Sequence, residues 1–167
     1  MNEPSAREGG ARPGRPAPSL KARALRLLAL REHSRAELER KLRPHADPPE
    51  ALAPVLDELQ AKGFINEARV ADSLVHRKAE RFGAARVRAE LQAKGLSTEL
   101  VDGAVQQLRA SEAERAQAVW ARKFGAPPRD PAERARQMRF LAARGFAAEV
   151  VRRVVPAFGA DPGGWSD

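Results

Sequence analysis

The chain has 167 residues, with 30 Lys and Arg against 22 Asp and Glu, a formal net charge of +8, and no cysteine. Disulfide stapling, thiolate catalysis and cysteine-ligated zinc are therefore excluded. Alanine occurs 33 times, isoleucine once and tyrosine never; the strong helix formers dominate and the usual strand residues are scarce, so the chain reads as all-α with a thin core.

Residues 1–18 hold Pro4, Gly9, Gly10, Pro13, Gly14, Pro16 and Pro18 without periodic apolar positions, the pattern of a disordered tail. A first group of helices spans 19–65. Ser19 caps a helix carrying Leu20, Ala24, Leu27 and Leu28. Ser34 and Glu37 form a capping box ahead of Leu38 and Leu42, and Pro44 ends that helix. Asp47-Pro48 reads as a cap with proline at the first helical position, followed by Leu52, Leu56 and Leu59 and stopped by Gly63. Pro54 lacks an N–H, so this third helix either starts late or kinks.

The pattern recurs over 66–109. Asn66 caps a helix with Ala71, Leu74, Val75 and Phe82 inward, closed by Gly83. Val87 and Leu91 mark the next, closed by Gly95, and Ser97 caps a third with Leu100, Val101, Ala104, Val105 and Leu108 inward. A third round spans 110–158. Ser111 and Glu114 read as a capping box ahead of Ala116, Val119, Trp120 and Phe124, with Gly125 as the stop. Asp130-Pro131 opens a helix with Ala135, Met138 and Leu141 inward and Gly145 as the stop. The last helix carries Val150, Val151, Val154, Val155 and Phe158. Residues 159–167 read as a flexible tail with Trp165 exposed.

The rounds resemble one another in letters. Gln92-Ala93-Lys94-Gly95-Leu96 is repeated by type in Ala142-Ala143-Arg144-Gly145-Phe146, and an acidic residue followed by an apolar pair comes next in both (Glu99-Leu100-Val101; Glu149-Val150-Val151). Tandem units of this length predict an elongated, curved array of three three-helix repeats, each burying a face partly on its neighbour. Such a surface suits a long partner better than a small substrate.

The third repeat is the most basic, with ten cations against five acids over 110–158. The second gathers Arg77, Lys78, Arg81, Arg86 and Arg88 around one helix–helix corner; with Arg134, Arg136 and Arg139 they are the candidate contact residues. Arginine meets phosphate bidentately, so a polyanion is the expected partner. Tyrosine is absent and the phenylalanines fall at helix ends or on apolar faces, so contact with nucleic acid would run mainly through phosphates with little sequence preference.

A Gly-rich phosphate loop and a G-x-S-x-G elbow are both missing. No two of His33, His45 and His76 stand four residues apart, so a helix-borne His pair for a metal is excluded. Asp72, His76 and Glu80 follow one another at four-residue steps, which intrahelical pairing explains. No apolar run approaches the ~20 residues of a membrane span, and the N-terminus has no apolar signal core. The expectation is a cytoplasmic, non-enzymatic protein without cofactor, metal or membrane contact.

Arg31-Glu32-His33-Ser34-Arg35-Ala36-Glu37-Leu38 with Lys41-Leu42, and Gly63-Phe64-Ile65-Asn66-Glu67 with Arg69 and Ala71, resemble the RecX family. So do Arg86 through Glu90-Leu91 with Lys94-Gly95-Leu96, and Arg144-Gly145-Phe146 with Glu149-Val150. The resemblance covers about residues 20 to 158. It departs from the family pattern at Val70, where an aromatic is usual, at Phe82-Gly83, and in an extra loop, Ala126–Asp130. The resemblance implies a monomeric bacterial regulator that binds the RecA filament on single-stranded DNA and depresses its ATP hydrolysis, strand exchange and coprotease activity. Two other classes fit the residues less well: a helix-turn-helix-like transcription regulator, for which no helix carries a concentrated set of base-reading side chains, and a helical-repeat interaction scaffold.

Overall fold

In a computed structural model, residues 14–159 are described, and all their regular elements are helical. Most of the N-terminal tail, and residues 160–167 with Trp165, lie outside them. Nine α-helices follow in order: α1 Leu20–Leu30, α2 Arg35–Leu42, α3 Leu52–Ala61, α4 Glu67–Lys78, α5 Ala84–Ala93, α6 Thr98–Ala110, α7 Glu112–Lys123, α8 Pro131–Ala143 and α9 Ala148–Val154. They form the three expected three-helix repeats.

Most of the punctuation acts as the sequence predicts. Ser19, Asn66, Ser97 and Asp130 each accept a backbone N–H at the start of their helix. Ser34 and Glu37 complete a reciprocal capping box. Gly63, Gly95, Gly125 and Gly145 close helices with φ between 66° and 84°, the left-handed region in which glycine meets no Cβ penalty. Arg69, part of the family-like motif, donates through Nη2 to the Gly63 carbonyl (2.8 Å) and so satisfies an acceptor at the end of α3.

Five readings are corrected. Asp47 does not cap α3: a short 3-10 turn over Pro49–Ala51 precedes it and the helix starts late, at Leu52. Pro54 then sits in the first turn, where its missing N–H would have had no helical partner. Gly83 does not close α4, which ends at Lys78; it is the N-cap of α5, with φ −77°. Ser111 makes no capping bond to α7. Its hydroxyl donates back to the Leu108 carbonyl, and α6 and α7 are separated by this one residue. Phe158 is 55% exposed, since it lies beyond the end of α9. Asp72, His76 and Glu80 form no ion pair among the described residues; α4 ends before Glu80, which breaks the helical register.

Each repeat has its own apolar core. Leu38, Leu42, Leu56 and Leu59 anchor the first, Leu74, Val87, Leu91 and Val105 the second, and Trp120, Leu141, Phe146 and Val151 the third. The expected sharing of an apolar face between neighbours is not what joins them. The junctions are polar, and every side-chain hydrogen bond or ion pair between repeats, among the described residues, links first to second or second to third. The array is therefore linear.

Both junctions follow one rule: the C-terminal end of one repeat's middle helix seats on the N-terminal end of the preceding repeat's middle helix. At the first junction, Lys94 and Gly95, ending α5, meet Ser34, Ala36 and Glu37, starting α2. The Ser34 hydroxyl donates to the Lys94 carbonyl, and a Cβ on Gly95 would stand 2.8 Å from the Ala36 Cβ. At the second, Arg144 and Gly145, ending α8, meet Gly83, Ala85 and Arg86, starting α5. The Gly83 N–H donates to the Arg144 carbonyl (2.8 Å) and the Ala85 N–H to the Gly145 carbonyl (3.3 Å). The Ala84 N–H donates to the buried Glu112 carboxylate of α7 (2.8 Å). The opening N–H groups of α5, which no intrahelical carbonyl can satisfy, are thus taken up by the third repeat. Arg115 adds a half-buried clasp. Its guanidinium donates to the carbonyls of Ala79, Phe82 and Leu108 and to the Ser111 hydroxyl.

Candidate functional site

The eight basic residues singled out in the sequence divide by what already holds them. Lys78 and Arg86 both pair with Glu90, and Arg88 pairs with Asp102. Arg136 pairs with Glu133. Arg134 is structural: its Nε donates to the Pro156 carbonyl and ties the end of α9 to α8. Arg77, Arg81 and Arg139 are exposed and have no carboxylate partner among the described residues; Arg77 touches only the Ser73 carbonyl through Nε. These three are the free cations of the set.

The structure gathers part of the set and adds residues that the sequence reading passed over. Lys78, Arg81 and Arg86 surround the Phe82 ring, with the Arg86 guanidinium carbon 4.2 Å from its centroid. Arg144 arrives from the third repeat, 5.8 Å from the Phe82 centroid and 4.4 Å from that of Phe140. Cations over ring faces are held by the ring quadrupole without being neutralised. Beside them lies an open cleft of about 270 Å³ lined by Arg81, Val119, Arg122, Lys123, Phe140 and Arg144. It straddles the second junction. Its four cations carry no carboxylate partner among the described residues; Arg122 reaches only the Glu80 carbonyl (2.9 Å). Arg122, Lys123 and Arg144 were passed over because they are 22 residues apart at most from one another but 41 or more from Arg81, and only the junction brings them to it.

The first junction has the opposite electrostatics. Glu37 is buried and accepts from Arg31 (3.0 Å), Lys94 (2.8 Å) and the Ser34 N–H (2.9 Å). Burial pushes its carboxyl up, but these donors outweigh burial and hold it at about 2. His33, also buried, is flanked by the Arg31 carbonyl at Nδ1 and the Lys41 ammonium at Nε2. An ammonium only donates, so Nε2 accepts and Nδ1 carries the proton. Burial is the first cause that lowers the His33 pKa, and the charges of Arg31 and Lys41 add to it; the bond to the Arg31 carbonyl opposes them. His33 is thus a neutral packing residue. Arg69 of the second repeat also crosses this junction, with its Nε 2.9 Å from Glu32.

Three family models match the chain in order along its length. The first three-helix domain of RecX matches residues 21–59, the second 66–105 and the third 110–155. A regulatory protein RecX of Leptothrix cholodnii is 57% identical over 141 residues, covering 84% of this chain and 90% of its own. One from Ralstonia nicotianae is 50% identical over 128 residues, covering 77% and 80%. Among solved structures, a regulatory protein RecX superposes with TM-score 0.68 at 22% identity over 81% of this chain and 70% of its own. The RecX of Lactobacillus salivarius gives 0.67 at 18% identity over 81% and 91%; these two bear on the fold. No helix among the described residues is long and apolar enough to cross a membrane. With three matched domains in family order and close relatives aligned along nearly their whole length, the chain belongs to the RecX family of regulatory proteins.

Proposed function

We propose that this chain regulates the RecA recombinase: it lies along the RecA filament on single-stranded DNA and lowers ATP hydrolysis, strand exchange and coprotease activity. The observation that carries this reading is the match to regulatory RecX proteins at up to 57% identity over most of both chains. The architecture supports it. A linear array of separately cored repeats offers a surface that can follow a polymer across several subunits, and the candidate cations without a carboxylate partner lie on its second and third repeats. Arg77, Arg81 and Arg139 are the contact residues of choice, because no carboxylate already holds them. Contact with DNA would be through phosphates. A monomer is the simplest acting unit.

The test is RecA-dependent ATP hydrolysis on single-stranded DNA, titrated with this protein at low and moderate salt. Inhibition well below one copy per RecA subunit is the expected result. The R77Q/R81Q/R139Q variant should need several-fold more protein for the same inhibition while melting as the parent does. A hydrolysis rate that stays unchanged on an intact filament would remove the reading.

A further inference from the structure

The two repeat junctions are built on one plan, and a comparison between them shows what the second lacks. Ser34 and Gly83 are equivalent N-caps, Glu37 and Arg86 are the third residues of their helices, and Lys94 and Arg144 are equivalent C-caps. At the first junction the cation Lys94 meets the carboxylate of Glu37 at 2.8 Å. At the second, the position of Glu37 is occupied by Arg86, which pairs with Glu90 of its own helix, so Arg144 meets no carboxylate there. The Nε of Arg144 is buried without a hydrogen-bond partner, the one such side-chain atom among the described residues. A buried donor left unpaired costs about 1–3 kcal/mol, and like charges converging here add repulsion. Arg81, Arg122 and Lys123 line the same cleft, and none forms an ion pair among the described residues. Glu80 and Glu114 line an adjoining groove with Arg122, but neither carboxylate pairs with it.

We infer that the cleft at the second junction binds a compact oligophosphate, a chain of two or three linked phosphates free or on a nucleotide, which supplies the anion that Glu37 supplies at the first. Charge and size select this class. Four cations in about 270 Å³ match an anion whose charges lie on adjacent phosphates, whereas a nucleic-acid strand brings one charge per nucleotide. The volume lies just below the range of about 300–1,000 Å³ usual for whole small-molecule ligands, so the cleft takes the phosphates and leaves any nucleoside outside. Guanidinium groups suit this use, since they offer phosphate parallel N–H donors. The Phe140 face is covered by Arg144, which leaves no platform for a base. Arg81 belongs to the second repeat and the other three cations to the third, so the bound anion would also fix the two repeats relative to each other. This inference stands apart from the RecA reading and needs no RecA to be tested.

The experiment is calorimetric titration of the full chain with inorganic tripolyphosphate, with thermal melts alongside. Stoichiometric binding and a raised melting temperature are expected. R122Q/K123Q should weaken binding at least tenfold, whereas R77Q/R139Q, which removes the same charge elsewhere, should change it less than twofold. R86E, which restores the carboxylate of the first junction, should abolish the rise in melting temperature. Equal weakening by the two double variants would overturn the site in favour of general charge attraction, as would an equal thermal shift from sulfate at matched ionic strength. A thymidine oligonucleotide that binds the cleft more tightly per phosphate than tripolyphosphate would overturn the ligand class and give the cleft to DNA.

Discussion

Replacing Gly83 with alanine tests how the repeats are joined. Gly83 has φ −77°, so the new residue suffers no backbone penalty. Its Cβ, however, would fall on the carbonyl of Gly145, and backbone cannot swing away as a side-chain end can. The start of α5 and the end of α8 must separate. That breaks Gly83 N–H to Arg144 O and Ala85 N–H to Gly145 O, and it strains Ala84 N–H to Glu112. Neutral hydrogen bonds contribute about 1 kcal/mol each and those to a charged group about 1.5–3 kcal/mol, so about 3–5 kcal/mol of coupling between the second and third repeats is at stake. The repeat cores are untouched. In an array of separately cored units, loss of interface energy uncouples the units before it unfolds them. Urea unfolding followed by circular dichroism should therefore show a lower first midpoint and a split or broadened transition for G83A. Gly63→Ala is the control: at φ +80° with open space around it, it incurs only left-handed strain, about 1–2 kcal/mol, within the first repeat. A G83A curve superimposable on the parent's would refute the junction as drawn.

Two further predictions concern single side chains. The Glu37 carboxyl lies at about 2 against an ordinary 4.5, so it stabilises the fold fully above pH 4.5 and loses that contribution as pH falls towards 2; about 3 kcal/mol is involved at 1.36 kcal/mol per unit. His33, with its pKa lowered from 6.5, adds a loss that begins as pH falls below 6.5. Stability measured from pH 7 to 3 should thus decline in two stages, and E37Q should remove the acid stage. In the third repeat, the buried Trp120 Nε1–H donates to Gln137 (2.8 Å), which donates in turn to the Ala126 carbonyl (3.3 Å). Gln137→Leu strands the indole N–H and should cost about 1–3 kcal/mol, read by denaturant titration of tryptophan fluorescence; an unchanged midpoint would show that the indole finds another partner.

Local signals were legible and junction signals were not. Ser34 with Glu37, Asn66 and Asp130 act within four residues of themselves, so letters alone locate them. Ser111 carries the same letters as Ser34 and fails to cap, because as the single residue between α6 and α7 it has φ −108° and ψ 8° instead of the extended backbone of an N-cap, and its hydroxyl turns back to the Leu108 carbonyl. Gly83 resembles a helix stop, yet its smallness is required by Gly145 rather than by a turn. The corner Arg77–Arg88 was visible as charge density, but pairing with Glu90 and Asp102 neutralises part of it. Arg122, Lys123 and Arg144 become a group only across the junction. The exchange of Glu37 for Arg86 shows only when both helices are counted from their N-caps, Ser34 and Gly83, and the second of these is set by the junction.

The head-to-tail seating of the middle helices also gives the array two unlike ends. The start of α8 could not repeat the second junction: Pro131 has no N–H where Ala84 offers one to Glu112, and the Asp130 side chain takes that of Glu133. Continuation before α2 would require a left-handed glycine after its last turn, and that turn runs instead into Arg43-Pro44-His45. Both outer ends therefore differ from the inner junctions in the residues that would meet a neighbour. A designer wishing to lengthen the rod through a junction of the second kind would have to rewrite Asp130-Pro131 before adding a fourth unit.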